Sequence, residues 1–178
     1  MDTTRPKLSP RFEFALMFAA QLHRTQIRKG SRAPYVGHLM GVASIALEHG
    51  ADEDEAIAAL LHDAIEDRGG DPMRRKIQKC FGKRVVEIVN GCTDADVKPK
   101  LRWKKRKEAY IAHIKDASSS VRLVSAADKL HNAQMILKDY RLLGDAVWKR
   151  FKGHKVGTLW YTPEVSDQSA MDRAGSMP

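Results

Sequence analysis

The 178-residue chain is poor in cysteine, has no long hydrophobic run and shows no alternating strand pattern. Its two cysteines, Cys80 and Cys92, lie too far apart for a CxxC motif, which leaves two reduced thiols as the simplest reading. No segment approaches the ~18 consecutive apolar residues of a membrane span. The opening Met-Asp-Thr-Thr-Arg-Pro has no apolar core of the secretory kind. Together these absences exclude a disulfide scaffold and a helical membrane protein, and they point to the cytoplasm.

What is present is helical. Hydrophobic residues make up 43% of the chain, enough for a sizeable core in one domain. Phe12, Leu16, Ala19, Ala20 and His23 mark a first helix after Ser9-Pro10, and Gly30, Ser31 and Pro34 break into a loop. A second helix is expected from about Gly37 to Glu48, stopped by His49-Gly50. Asp52 caps a third, expected to run unbroken to Gly69-Gly70. Pro72 opens a fourth, Val85, Val86, Ile88 and Val89 stripe a fifth, and a basic sixth runs from Pro99 to near Asp116. Val121–Leu137 reads as helix by its length, and a last helix is expected around Ala146–Phe151. The expected fold class is all-α, a single helical domain over residues 1–161, with a polar, disordered tail over 162–178.

Basic residues outnumber acidic ones by 31 to 22, giving a net charge of +9. Seven of the basic residues fall in 98–107, with no acid among them, so the rest of the chain carries only +2. Such a run is either a solvated helix face or a surface for an anionic partner. Only Trp103 interleaves it, whereas single-strand nucleic-acid binders offer several stacking rings. An anionic nucleotide, steered by residues such as Lys104 and Lys105, is the better partner; nucleic acid is the weaker one, and no membrane partner is expected.

The third helix carries the chemistry. Ile57, Leu60, Leu61 and Ala64 form a core stripe, while His62, Asp63, Glu66 and Asp67 lie on other faces. The turn before those four polar groups reads Ala56, Ala58 and Ala59, which predicts another helix packed closely over them. Four ionisable groups in a partly covered place are costly without a cation or a reaction. A histidine with hard carboxylates suits Mn, Fe or Zn better than Ca. Further ligands must come from other helices: His38, after the Pro34–Gly37 turn, and Asp128, set in the apolar run Val124–Leu130, are the candidates. Asp128 could equally be an ion-pair partner of Lys129.

The ordered set His38, His62-Asp63, Asp128 resembles the HD phosphohydrolase superfamily, and within it the hydrolase domain of RelA/SpoT-type proteins and the stand-alone small alarmone hydrolases. The resemblance runs through Arg28-Lys29, Pro34-Tyr35-Val36-Gly37-His38, Ala58–Asp67 with its H-D-x-x-E-D form, Phe81-Gly82, Val89–Asp94 and Ala127–Asn132, covering about residues 10–160. It implies an HD-type helical bundle that uses Mn²⁺, or another divalent transition metal, to remove the 3′-diphosphate from (p)ppGpp. By the same resemblance His38, His62, Asp63 and Asp128 hold the metal, and Glu66 and Asp67 orient or deprotonate the attacking water. Arg28 or Lys29 would contact guanine or phosphate, and Asn132 the ribose. A bound cation lowers the pKa of its water from about 15.7 toward 7 and polarises a phosphoryl oxygen.

Three features depart from the pattern. Gln134 stands where an Arg is usual, the loop between Lys29 and Pro34 differs in length, and Pro163 with a polar tail follows where relatives continue helically. These keep a second substrate class, NADPH or a dNTP, in view. Whether the chain forms a homo-oligomer is left open.

Overall fold

The computed structural model describes residues 8–94 and 102–161. Eight α-helices occur among them: α1 Pro10–Leu22, α2 Val36–Glu48, α3 Glu53–Leu61, α4 Ala64–Arg68, α5 Gly70–Phe81, α6 Lys83–Cys92, α7 Trp103–Lys115 and α8 Ser119–Leu143. A 3₁₀ stretch, Gly144–Arg150, follows, and residues 154–161 are again helical. No strand occurs among the described residues. The all-α class expected from the sequence is the observed one. The predicted tail, 162–178, lies outside the described residues, as do Lys98 and Lys100 of the basic run.

The helix starts obey local chemistry. The Ser9 side chain accepts from the Arg11 amide, with Pro10 in the first turn, where its missing N–H costs nothing. Asp52 and Glu55 form a reciprocal capping box: Asp52 Oδ1 accepts from the Glu55 amide at 3.0 Å and Glu55 Oε2 from the Asp52 amide at 2.9 Å. The Ser118 hydroxyl oxygen caps α8 by accepting from the Val121 amide.

Helix α3 is the hub. Every residue from Ala56 to Leu61 is at most 1% exposed, and the helix packs against α1, α2, α6 and α8. Ala56, Ala58 and Ala59 are sealed as the alanine floor predicts, because small side chains let neighbouring backbones approach. Helices α2 and α8 also pack on each other, so α2, the end of α3 and α8 meet over this floor.

One boundary corrects the sequence reading. The helix expected to run from Asp52 to Gly69 breaks at His62-Asp63, so α3 ends at Leu61 and α4 begins at Ala64. The His62 ring supplies the cause: its Nδ1 takes the Ala59 carbonyl at 2.8 Å, the acceptor that continued α-helix would give to the Asp63 amide. The break turns adjacent His62 and Asp63 toward one centre, which the ~100° between neighbours on a regular helix would prevent. Two smaller differences follow packing. The predicted helix at Ala146–Phe151 is the 3₁₀ stretch, and α8 continues past Leu137 to Leu143, ending at Gly144 in the left-handed region (φ +56°).

Candidate metal centre

Four side chains from three elements converge: His38 from α2, His62 and Asp63 from the α3–α4 break, and Asp128 from α8. His62 Nε2 lies 3.1 Å from Asp63 Oδ2 and 3.7 Å from Asp128 Oδ1. His38 Nε2 lies 3.2 Å from Asp128 Oδ1 and 3.9 Å from Asp63 Oδ2. The ligand atoms of His38, His62 and Asp128 all fall within 4.8 Å of one another, and all three residues are buried. Donors that sit about 2.0–2.2 Å from a shared ion stand roughly 3–4 Å apart, which is the spacing found. Despite the nearby carboxylates, the buried His62 Nε2 has no hydrogen-bond partner. A divalent cation fits that orphaned lone pair and this mixed nitrogen and oxygen set.

Second contacts fix each candidate donor. With its Nδ1–H given to the Ala59 carbonyl, His62 presents an unprotonated Nε2 to the centre when neutral. His38 Nδ1 pairs with His131 Nδ1 at 2.9 Å, so a neutral His38 with its Nε2 free for an ion must donate to His131. Tyr35 donates its hydroxyl to Asp63 Oδ2. Asp128 divides its oxygens: Oδ2 accepts from Lys129 Nζ at 2.5 Å, while Oδ1 faces the histidines and accepts from Asn132 Nδ2 at 2.6 Å. The Lys129 ion pair thus occupies Oδ2 and leaves Oδ1 facing the two histidines.

The electrostatics follow. Burial works against charge on His62, but the Asp63 and Asp128 carboxylates outweigh it and push its pKa up to about 9 without metal. Burial likewise opposes the charged forms of Asp63 and Asp128, yet His62 beside Asp63 and Lys129 beside Asp128 hold both carboxyls below their usual range. Burial keeps His38 low and, with the His38 ring against it, brings His131 down to about 4. Tyr35 is raised by burial and by Asp63, so it stays a donor.

The centre separates two cavities. An inner chamber of about 200 Å³ is lined by Glu66, Asp94, Arg106, Lys107 and Lys129 together with His62, Asp63 and Asp128. An outer cleft of about 460 Å³ carries Arg28, Lys29, Tyr35, Asp67 and Asn132 beside His38, Asp63 and Asp128. Asp63, Lys107 and Asp128 line both.

The expected site residues thus gather in one place but divide by side. Glu66 is half-buried at the inner chamber, whereas Asp67 is exposed at the outer cleft and accepts from Gln26 Nε2 at 2.7 Å. Arg28 Nη2 donates to Asn132 Oδ1 at 2.8 Å, and Lys29 is exposed at the same cleft. Gln134 is exposed and lines a different surface pocket with Lys138 and Arg141, away from the cleft. The basic run splits as well: Lys104 and Lys105 face solvent, and Arg106 and Lys107 turn inward to pair with Asp94.

Sequence reasoning missed Tyr35, His131, Gln26, Lys107, Lys129 and Asp94 as parts of the site. For His131 a signal existed, since it lies three residues after Asp128 on the same helix face. Tyr35 meets Asp63 and Gln26 meets Asp67 from the loop between α1 and α2, and no spacing rule reports that.

The HD domain family pattern matches residues 15–159, most of the chain. The chain belongs to the HD domain family. Among curated HD relatives, the guanosine-3′,5′-bis(diphosphate) 3′-pyrophosphohydrolase MESH1 of Xenopus tropicalis is 39% identical over 121 residues, covering 66% of this chain and 65% of the frog protein. The chain therefore spans just under two thirds of that relative's length. The bifunctional (p)ppGpp synthase/hydrolase SpoT of Escherichia coli K12 is 33% identical over 132 residues, covering 71% of this chain but 18% of SpoT. Among solved structures, a metazoan ortholog of SpoT, described as hydrolysing ppGpp, superposes with a TM-score of 0.67 at 27% identity, covering 93% of this chain and 98% of that one. This HD chain thus shares the architecture of that hydrolase over nearly all of both chains.

Proposed function

We propose that the chain removes the 3′-diphosphate of (p)ppGpp, giving GDP or GTP and pyrophosphate, with Mn²⁺ as the working ion. One observation carries the reading: the four converging donors lie on the seam between a charged inner chamber and an outer cleft lined by Arg28, Lys29 and Asn132. The names of the relatives, hydrolases of this bond, point the same way.

In this reading His38, His62, Asp63 and Asp128 hold the ion. When bound, it polarises a phosphoryl oxygen and acidifies a water. Glu66 takes a proton from the attacking water within the inner chamber, and Asp67, held by Gln26, orients the reacting group from the outer side. Asn132 links the two halves, since its amide nitrogen is held by Asp128 and its oxygen braces the Arg28 guanidinium. That leaves Arg28 as the fixed contact to the nucleotide and exposed Lys29 as a mobile countercharge. The setting proposed is cytoplasmic. It is supported by two unpaired thiols, Cys80 and Cys92, and by the absence, among the described residues, of a helix long and apolar enough to cross a membrane.

The test is pyrophosphate release from ppGpp by Mn-loaded protein, lost in His62→Ala and Asp63→Ala. NADPH and a dNTP run beside it as competitors. Turnover of one of these with none of ppGpp would replace the substrate, and no phosphate ester turnover at all would sink the enzyme reading.

A further inference from the structure

Apolar surface gathers late in the chain, on α8 and the segment after it. Six of the twelve large apolar side chains exposed among the described residues fall here: Leu137, Tyr140, Leu142, Leu143, Val156 and Leu159, between 39% and 82% exposed. The turn at Gly144, in the left-handed region, brings the 3₁₀ stretch back onto α8, so Trp148 packs against Tyr140 with ring centroids 5.8 Å apart. An apolar groove of about 420 Å³ results, lined by Ile136, Leu137, Tyr140 and Trp148 on one side and by Leu159, from the helical residues 154–161, on the other. A second groove of about 410 Å³ is bordered by Leu137, Gln134, Lys138, Arg141 and Leu142. Leu137 is therefore a ridge shared by two grooves. Exposed apolar surface rimmed by polar side chains marks an interaction site.

Charge selects the occupant. From Gln134 to Tyr161 the chain has six basic residues and two acidic ones, and both acids are engaged, Asp139 with Arg150 at 2.6 Å and Asp145 with Lys155 at 2.9 Å. Lys138, Arg141, Lys149 and Lys152 are exposed and form no ion pair among the described residues. Ala133, Leu137 and Tyr140 lie at i, i+4 and i+7 on α8, with Lys138 and Arg141 one position further on, at the rim. A second copy docked on the same face about a two-fold axis would set these like charges against each other. A lipid surface would meet the Leu137 ridge but not the grooves beside it, whereas a helix fills grooves with its own rows of side chains. We propose that this face docks an acidic amphipathic helix of a partner protein, its apolar stripe seated on Leu137, Tyr140 and Leu159 and its acidic flank against Lys138 and Arg141. Ile136 lines this groove and the outer cleft alike, so the partner sits against the helix that carries Asp128 and Asn132. Docking here holds whether or not the chain hydrolyses ppGpp.

The test is fluorescence anisotropy of a labelled peptide of about 16 residues, with leucines at i, i+3, i+4 and i+7 and glutamates on its flanks, titrated with the full chain. It should bind. A peptide of the same composition with the leucines scattered around the helix, and one with lysines in place of the glutamates, should each bind at least about tenfold more weakly. Lys138→Glu/Arg141→Glu should raise the Kd of the acidic peptide about tenfold or more and favour the lysine peptide instead. Lys104→Glu/Lys105→Glu, the same charge change on the solvent side of α7, should leave it within about twofold at physiological salt. Leu137→Asp should weaken both peptides at least about tenfold; if that variant fails to fold, the charge reversal at Lys138 and Arg141 still decides. No binding of the acidic peptide at millimolar protein, or equal binding of the ordered and scattered leucines, would overturn the proposal. So would each of three other occupants. A concentration-dependent dimer broken by Leu137→Asp assigns the face to a second copy, and flotation with phosphatidylglycerol vesicles, lost in Leu137→Asp, assigns it to a lipid surface. A gain in peptide affinity on Val165→Asp/Met171→Asp assigns it to residues 162–178.

Discussion

Gly41 tests whether His131 holds His38, a proposed metal ligand, in place. It lies on α2 one turn after His38, and a Cβ added there would stand 2.2 Å from Cδ2 and 2.3 Å from Nε2 of the His131 ring. To reach ordinary contact the ring must withdraw by roughly 1 Å or more. Withdrawal from α2 carries it away from His38 too, stretching the 2.9 Å Nδ1···Nδ1 contact beyond hydrogen-bonding range. Gly41→Ala therefore acts as a remote deletion of that contact. Its stability cost is the overpacking penalty of about 1–3 kcal/mol, offset by the ~0.8–1 kcal/mol that Ala gains over Gly inside a helix. The net loss is about 0–2 kcal/mol, small enough for the fold to survive. Metal affinity should fall much further in proportion, by about 10–100-fold, as when other supporting partners of ligands are removed. The assay is metal affinity by competition with a chromophoric chelator, alongside thermal melts of the metal-free protein. In the double variant Gly41→Ala/His131→Ala the clash disappears, so stability should recover while metal affinity matches His131→Ala alone. A Gly41→Ala protein that binds metal within twofold of wild type would refute the reasoning.

Three further outcomes are expected. Tyr35→Phe removes the hydroxyl that Asp63 Oδ2 accepts and should weaken metal binding about tenfold with little change in melting temperature, measured by the same competition assay. Glu66→Gln should lower kcat for ppGpp with KM nearly unchanged, whereas Asp67→Asn, at the exposed outer cleft, should act more on KM; steady-state kinetics showing the same split for both would contradict the two-sided site. For pH, the His62 pKa in the metal-free fold, about 9, lies above its ordinary value of 6.5. A folded value above the unfolded one gives stability that is complete below pH 6.5 and lost as pH rises toward 9. Thermal melts should therefore show the metal-free protein weakening across that window and the stabilisation by metal growing, because the ion binds the neutral ring.

Much of the fold was legible because it follows from local chemistry. The Ser9 and Asp52 caps and the alanine floor on α3 are written in short stretches of sequence and appear where expected. The His62–Asp67 run was legible as a cluster but not as an arrangement. A regular helix over Asp52–Gly69 would have splayed His62 and Asp63 apart; they converge where the helix breaks, with the His62 ring on the Ala59 carbonyl. The uniform basic run resolved into solvent-facing Lys104 and Lys105 and inward Arg106 and Lys107 because Asp94, just past the end of α6, pairs with the second two.

By itself the sequence determined the helical class, the candidate donor types and their order along the chain, since periodicity, capping and donor chemistry depend on neighbours within a few residues. The tertiary structure alone decided which atoms face one another. It gave Asp128 two partners on two oxygens, set His131 behind His38 through the gap at Gly41, and placed Glu66 and Asp67 in different cavities. The physical reason is that these contacts join residues up to 93 positions apart, where packing of α2, α3 and α8 sets the distance and no local pattern records it.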